Sequence, residues 1–236
     1  MNKINLITPE ELATFDRIDR DCLKMHVMPP PKTFINMKVH MPNGELVSEL
    51  DMVSRSWVRN AYNMALVRML PSDVGAGHTT FGAGVLGIKK TDNSVETPAS
   101  SASNIWNYVG RWTGAANAVN QGIVVGTGVG AESFESNTLG TLIAAGNSAT
   151  QLAYQADDVG TFSYAAGTKK WTLTKYRIMN NNSGGSISVS EVGIICNLYG
   201  NTVIFLMCRD LLGAAVVVAN TAQLTVTYTM EMTFPA

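Results

Sequence analysis

The chain has 236 residues and a mass of 25.3 kDa, so it can bury the core of one large β domain or of two smaller domains. Its formal net charge is −1 and its sequence pI is about 6.3, which excludes a strongly basic surface, and we therefore expect no nucleic-acid partner. Three scattered cysteines form neither a CxxC pair nor a disulfide framework, which favours reduced thiols and synthesis in a cytosol.

The first predicted element is a helix over residues 8–25, with no apolar secretory signal before it. Thr8 can cap this helix, Pro9 suits its first turn and Glu11 completes a capping box. Its apolar stripe has helical spacing: Leu12, Phe15, Ile18 and Cys22. Three prolines at 29–31 impose an extended connector. Residues 1–31 then form an arm, which either reaches a neighbouring subunit or packs on its own domain.

A hairpin and a second helix follow the arm. Asn43-Gly44 lies between two apolar runs and tolerates positive φ, which predicts a β-hairpin. Residues 54–70 then show a broad apolar stripe that ends at Pro71, which predicts a helix packed on a sheet or on another protomer.

From residue 81 onward the helical period disappears and short apolar runs alternate with Gly, Asn, Ser and Thr clusters. The runs lie at 85–88, 123–125, 139–144, 152–154, 171–179, 187–196 and 203–208. Residues 92–103 are polar and predict a loop, and 180–185 predict a flexible turn. This pattern predicts a mainly β, antiparallel sandwich or jelly-roll-like domain over 32–236, with an inserted helix near 54–70.

Charged residues are scarce in the middle of the chain. They make up 15% of all residues, against about 25% in typical domains. Between positions 101 and 160 only five occur: Arg111, Glu132, Glu135, Asp157 and Asp158. Such a surface is either covered by partner molecules, which is the interpretation we favour, or simply neutral.

One glycine motif in this segment invites a functional reading. Gly126, Gly128 and Ala131 follow an apolar run and fit the dinucleotide-binding pattern G-x-G-x-x-A. That fingerprint needs a helix after the glycines and an acid about 20 residues further on, and neither is predicted here. The glycines therefore indicate a turn between strands, and we expect no cofactor.

Catalytic and metal-ligating patterns are weak throughout the sequence. His26 and His40 lie near no plausible nucleophile, and His78, in a glycine-rich loop, is expected to be a solvated side chain rather than a general base. Asp157-Asp158 is a single carboxylate pair that allows at most a weak calcium site. We therefore predict no enzymatic activity, no catalytic residues and no metal site.

The remaining candidates are an ion pair and the tryptophans. Arg209-Asp210 follows the strand predicted at 203–208, interrupts the most apolar stretch and excludes a membrane span. We predict that this pair ends the strand and satisfies itself or a neighbouring strand end. Trp106 and Trp112 belong either to the core or, with Trp57 and Trp171, to a platform that binds host-surface glycans.

The last dozen residues alternate strictly between large apolar residues and Thr or Glu. The apolar set is Leu224, Val226, Tyr228, Met230, Met232 and Phe234. Side chains alternate faces along a strand, so this run predicts one long strand with a buried face and a threonine-rich face.

Several of these segments together resemble a known family. They are Gly126-Thr127-Gly128, residues 180–194 with their Val-x-Glu-Val-Gly strand, residues 205–210 ending in Arg-Asp, and residues 223–230. Their order is similar to the C-terminal signature of tailed-bacteriophage virion proteins. The resemblance implies a structural role in a tail, neck or capsid-surface layer of a virion, after synthesis in the host cytoplasm, and it supplies no catalytic residues.

The sequence thus predicts a virion structural protein that assembles as repeated copies with itself and with other virion proteins. The residues expected to make these contacts are Leu12, Phe15, Ile18, Trp106, Trp112, Arg209 and Asp210. A carbohydrate- or receptor-binding sandwich is the alternative, and a cell-wall hydrolase is a third hypothesis, which the scarcity of acids disfavours.

Overall fold

The computed structural model describes residues 1–67, 87–96, 113–198 and 203–234. Strands account for 47% of the structure and helices for 12%, so the predicted mainly β class is confirmed. The described helices are α1 (Pro9–Lys24) and α2 (Arg59–Val67). The described strands are β1 (Asn2–Asn5), β2 (Lys32–His40), β3 (Leu46–Val53), β4 (Ile88–Lys89), β5 (Val95–Glu96), β6 (Gly122–Gly126), β7 (Ala153–Tyr154), β8 (Thr161–Ala165), β9 (Lys170–Asn180), β10 (Ile187–Leu198), β11 (Val203–Val218) and β12 (Gln223–Thr233).

Two sheets carry the fold. Sheet A has the strand order β1-β3-β2-β12-β9-β7, and β8 pairs with β9 on its outer side. Sheet B has the order β11-β10-β6, and β4 with β5 forms a separate small hairpin. The pairs formed by these twelve strands are antiparallel except that of β1 with β3.

The main core lies between the two sheets, as expected for a β-sandwich. The terminal strand β12 supplies Leu224, Val226 and Tyr228, which are fully buried, while its threonines are half-buried on the opposite face. This confirms the alternation predicted for that strand up to Met230, whereas Met232 and Phe234 of the predicted apolar set are only half-buried. Its pairing with β2 and β9 places it inside sheet A rather than at an edge.

The opposite face of sheet B is covered as well. Val58, Val124 and Leu206 form a second buried cluster there, and Ile88, Cys196 and Phe205 form a third. Met64 of α2 packs against the third cluster. Sheet B is therefore enclosed between sheet A on one side and α2 with its neighbouring loops on the other.

The N-terminal helix and the first hairpin are confirmed. The Thr8 hydroxyl accepts a hydrogen bond from the Glu11 N–H, and the Glu11 carboxylate accepts one from the Thr8 N–H, which completes the capping box. Gly44 has a φ of +85°, the left-handed conformation that the turn between β2 and β3 requires.

Two predicted boundaries were wrong because of contacts from distant segments. Helix α2 begins at Arg59 rather than near residue 54, since the Val58 N–H donates to the Met207 carbonyl and holds the preceding residues extended beside β11. Strand β11 does not end at Arg209-Asp210 but continues to Val218. The last three residues of the predicted helix lie outside the described residues.

Other differences are smaller. The run at 139–144 forms only an isolated bridge between Leu142 and Gly126, and no strand. Part of the predicted loop at 92–103 is strand β5, and the residues beyond it lie outside the described ranges. Strands β1 and β8 were not predicted. The turn at 180–185 joins sheet A to sheet B and is anchored by Asn181, which is fully buried.

Candidate assembly surface and buried ionic clusters

The predicted contact residues of the arm lie on α1, which has no buried residue. Leu12 is 44% exposed, and Phe15 and Ile18 are half-buried. The helix is held by an edge-on contact of Phe15 with Phe34, with ring centroids 6.2 Å apart, and by the bonding of β1 to β3. The apolar stripe is thus only partly covered by its own chain.

Polar contacts complete the attachment of α1. The Lys32 ammonium lies 2.6 Å from the Asp19 carboxylate, and Arg55 pairs with Glu11. Both pairs join the helix to the β domain of the same chain. The alternative in which the arm packs on its own domain is therefore realised within one chain, and a contact of the exposed stripe with a neighbour stays a prediction.

Two of the four tryptophans lie within the described residues. Trp106 and Trp112 lie outside the described residues. Trp57 and Trp171 are half-buried and pack against the inter-sheet core. The described pair thus contributes to packing.

The glycine motif forms a turn that encloses a carboxylate. The Glu191 carboxylate accepts hydrogen bonds from the N–H groups of Gly128, Gly140 and Thr141 at 2.8 to 3.0 Å. A Cβ at Gly126 would lie 2.4 Å from the same carboxylate, so only glycine fits this approach. The amides that a nucleotide phosphate would need already bind an acid of the same chain, and no helix follows within residues 127–141.

Arg209 completes this cluster from the neighbouring strand. Its Nε lies 2.7 Å from Glu191 Oε2, and its terminal nitrogens donate to the carbonyls of Gly130 and Ala131. Burial raises the pKa of Glu191, but the amides of Thr141 and Gly140 and the Arg209 guanidinium outweigh burial and hold that pKa below its ordinary value. The cluster therefore stays ionised and fixes the loop over sheet B.

Asp210 does not pair with Arg209, contrary to one form of the prediction. Its carboxylate accepts hydrogen bonds from the Ser54 hydroxyl at 2.7 Å and from the N–H groups of Arg55 and Ser56. Arg209 and Asp210 therefore each satisfy a different segment of their own chain. Both side chains are buried within this chain. A direct contact of either with a partner stays a prediction.

A second ionic cluster is centred on Arg177 of β9 and contacts the start of β6. The Arg177 side chain is fully buried and donates to five backbone carbonyls at 2.7 to 3.2 Å: those of Ala115, Ala118, Gln121, Ile123 and Gln155. Its guanidinium also lies 4.8 Å from the centre of the Tyr154 ring. One side chain thus holds the loop at 113–121 in place.

Asp157 supplies the negative charge of this second cluster. Its carboxylate lies 3.8 Å from Arg177 and 3.9 Å from Lys175, and it accepts a hydrogen bond from the Gly114 N–H. Gly122 has a φ of +85°, and a Cβ there would lie 1.7 Å from the Asp157 carboxylate. The acid proposed as a weak calcium ligand is therefore committed to its own chain.

Both clusters bind segments of their own chain. The Glu191 carboxylate accepts hydrogen bonds from backbone amides and the Arg209 guanidinium, and the Asp157 carboxylate accepts one from the Gly114 amide and faces Arg177 and Lys175. Among the described residues, no group of three or more His, Cys, Asp or Glu side chains is placed to hold a metal ion. Neither described helix has the length and hydropathy needed to cross a membrane.

Lowering the pH from 7 to 5 is expected to strengthen folding through Asp210, by about 1 kcal/mol. Burial raises the pKa of Asp210 to about 6, above its ordinary value, so its stabilising contribution is fully present below about pH 4 and is lost as the pH rises through about 6. Urea denaturation at the two pH values measures the change.

The control for this prediction is Asp210→Asn, which cannot titrate. The variant is expected to lose the Asp210 share of the gain and to keep the share of Asp157, whose pKa burial also raises to about 6. An equal gain in the variant and in the parent protein would contradict the prediction.

The charge-poor middle segment carries exposed apolar side chains. Within residues 113–160 these are Val129, Phe134, Leu142 and Val159. Phe134 packs on Tyr62, with ring centroids 5.6 Å apart. Single exposed apolar residues are common on protein surfaces, so the interpretation that partners cover this segment stays a prediction.

The fold and these clusters define the chain as a mainly β, two-sheet protein whose buried charges hold loops together. Comparison with protein-family models, curated proteins and solved structures finds no significant match.

Proposed function

We propose that this protein is a structural subunit of a bacteriophage virion that assembles as repeated copies in the tail, neck or capsid-surface layer. Its work is non-enzymatic, and its partners are identical subunits and other virion proteins. The observation that carries the proposal is the apolar stripe of α1. A complete capping box stabilises the helix, yet its own domain covers the stripe only in part and leaves Leu12 exposed. In a repeated assembly, a neighbouring copy covers this stripe.

The resemblance to tailed-phage virion proteins supports the same function. Its separate segments are neighbours in space, since Glu191 of one segment contacts Gly128 and Arg209 of two others. The residues of the signature thus belong to one structural unit, as a shared structural role requires. Exposed apolar residues in the charge-poor segment supply further area for contacts.

The glycan-binding alternative depends on Trp106 and Trp112. Both lie outside the described residues, and no described contact favours a sugar platform. We therefore propose assembly alone.

Two measurements test the proposal. Light scattering on the size-excluded full chain at micromolar concentration is expected to give a multiple of 25.3 kDa. Proteomics of phage particles that encode this protein is expected to find it at many copies per particle. A stable monomer that is absent from the particles would end the proposal.

Substitution within α1 sharpens the first measurement. Leu12→Asp is expected to weaken self-association by about tenfold or more, because it places a charge in a buried apolar contact. Ala13→Asp introduces the same charge at a position that faces away from the centre of the apolar stripe, and it is expected to leave association unchanged. Equal effects of the two variants would contradict a contact through the apolar stripe.

A further inference from the structure

Strand β8 forms an exposed edge of sheet A. Residues Thr161–Ala165 pair with β9 on one side, and along the other side no strand of the described residues pairs with β8. All five residues are exposed. Along that side, the outward backbone donors and acceptors of the strand have no partner strand within the described parts of the chain.

This edge lacks the usual protection against pairing. Edge strands normally carry Lys or Pro, or a bulge, whereas β8 reads Thr-Phe-Ser-Tyr-Ala without a charge. Its two aromatic residues are largely exposed, Phe162 at 63% and Tyr164 at 56%. Isolated in water, such a strand is a site for addition of another strand.

The aromatic side chains extend the inner face of sheet A. Their partners on β9 are Leu173, which belongs to the inter-sheet core, and Trp171, which packs against that core. The ring centroids of Phe162 and Trp171 are 5.9 Å apart. The apolar face of the sheet thus continues to the free edge.

We propose that β8 is an interface strand that pairs edge to edge with β8 of a second copy of this chain. The sequence of the strand is nearly symmetric about Ser163. Antiparallel pairing centred on that serine sets Phe162 of each copy opposite Tyr164 of the other, and such cross-strand aromatic pairs stabilise sheets. The two-fold symmetry makes the contact self-complementary.

Charge also selects a second β8 as the occupant. Two uncharged strands bring no like charges together at the two-fold axis. The other edge of sheet A, β1, reads Asn-Lys-Ile-Asn and would set a charge and two asparagines, with a single apolar residue, against the aromatic strand instead. The symmetric pair therefore matches apolar residues with apolar residues, and the β1 pairing does not.

The area of the contact predicts its strength. Aromatic side chains bury about 150 to 250 Å² each, so the exposed parts of the four rings supply about 500 Å². A stable interface needs about 1,200 Å² or more. The β8 pair is therefore weak in solution. It becomes stable where several contacts between the same copies form together, which rests on the proposed repeated assembly.

Cysteine crosslinking tests the pairing and its register in the full chain. In a Cys22→Ser background, which removes the half-buried native thiol, Ser163→Cys is expected to form a disulfide-linked dimer on mild oxidation. Directly opposed residues of an antiparallel pair have Cα atoms about 4.5 to 5.5 Å apart, within the range of a disulfide.

Two matched variants control for collision and register. Thr161→Cys alone is expected not to crosslink, because its two copies lie four residues apart in this register, about 13 Å. A mixture of Thr161→Cys and Ala165→Cys is expected to give the mixed dimer. Crosslinking of Thr161→Cys to itself, or none by Ser163→Cys, would overturn the pairing.

An affinity measurement gives a second readout. Tyr164→Lys is expected to raise the dimer dissociation constant at least tenfold, whereas Val217→Lys, at an exposed valine of β11, is expected to leave it unchanged. Equal effects of the two variants would count against the pairing.

The outcomes separate this inference from the proposed function. Protein found in particles without the Ser163→Cys dimer would retain the function and remove the inference. A Ser163→Cys dimer formed by a protein that is absent from particles would support the inference and remove the proposed function.

Discussion

Replacing Glu191 by glutamine is expected to lower the free energy of unfolding by about 3 to 5 kcal/mol, because it leaves the buried Arg209 guanidinium without a counter-charge. Glutamine keeps one acceptor oxygen for Gly128 and Thr141. Its amide nitrogen replaces the oxygen that accepts from Arg209 and from the Gly140 N–H, so donors would face donors. Urea denaturation of the variant and the parent protein measures the loss.

A surface glutamate supplies the matched control. Glu135 pairs with Arg59 on the surface, and Glu135→Gln is expected to change stability by no more than about 0.5 kcal/mol. Combining Glu191→Gln with Arg209→Met is expected to cost less than the sum of the two single changes, because the unpaired charge disappears. Additive losses would show that the two side chains do not act as one cluster.

The elements that the sequence predicted well are those with local causes. The alternation in β12 has the period of a strand, and Asn43-Gly44 has the conformational freedom that a tight turn requires. Helix α1 carries its own cap within four residues. In each case the physical cause lies within the segment itself.

The boundaries that the sequence predicted wrongly depend on distant partners. Charges at Arg209 and Asp210 suggested the end of a strand, because a charge inside a buried strand is costly. The partners that remove this cost come from residues near 54 and 130 and from Glu191, which no local pattern reveals.

Part of the candidate site was nevertheless within reach of the sequence. Glu191 lies in one apolar run, and Arg209 lies with Asp210 in the next run, beyond a short connection. Antiparallel pairing of those runs as a hairpin brings the two residues close, as the observed register of Gly193 with Arg209 does. In β8, Phe162 and Tyr164 alternate with smaller residues. This alternation has the period of a strand, so the sequence also contained a signal for β8.

The second cluster could not be predicted in this way. Asp157 and Arg177 lie on segments joined by strand β8 and its turn, and neither residue stands in a recognisable motif. The five carbonyls that Arg177 binds belong largely to an irregular loop, whose path depends on Arg177 itself. Sequence patterns describe periodic elements, and this loop has no period.

Replacing Arg177 by methionine is therefore expected to have the other large effect, a loss of about 3 to 5 kcal/mol of folding free energy. Methionine fills much of the volume, but it leaves Lys175 as the remaining cation beside Asp157 and removes the hydrogen-bond donors to five carbonyls. Arg55→Met is the control, since Arg55 is exposed and pairs with Glu11 at the surface, and its loss is expected to stay below about 1 kcal/mol.

Hydrogen exchange locates the effect within the fold. In Arg177→Met the amides of residues 113–123 are expected to exchange faster than in the parent protein, while those of β2 and β12 change only with global stability. Uniform acceleration across both sheets would mean that Arg177 supports the whole sandwich rather than the loop. Unchanged stability would show that an apolar side chain can replace the buried guanidinium. This happens where the desolvation cost of a buried charge equals the favourable energy of its contacts.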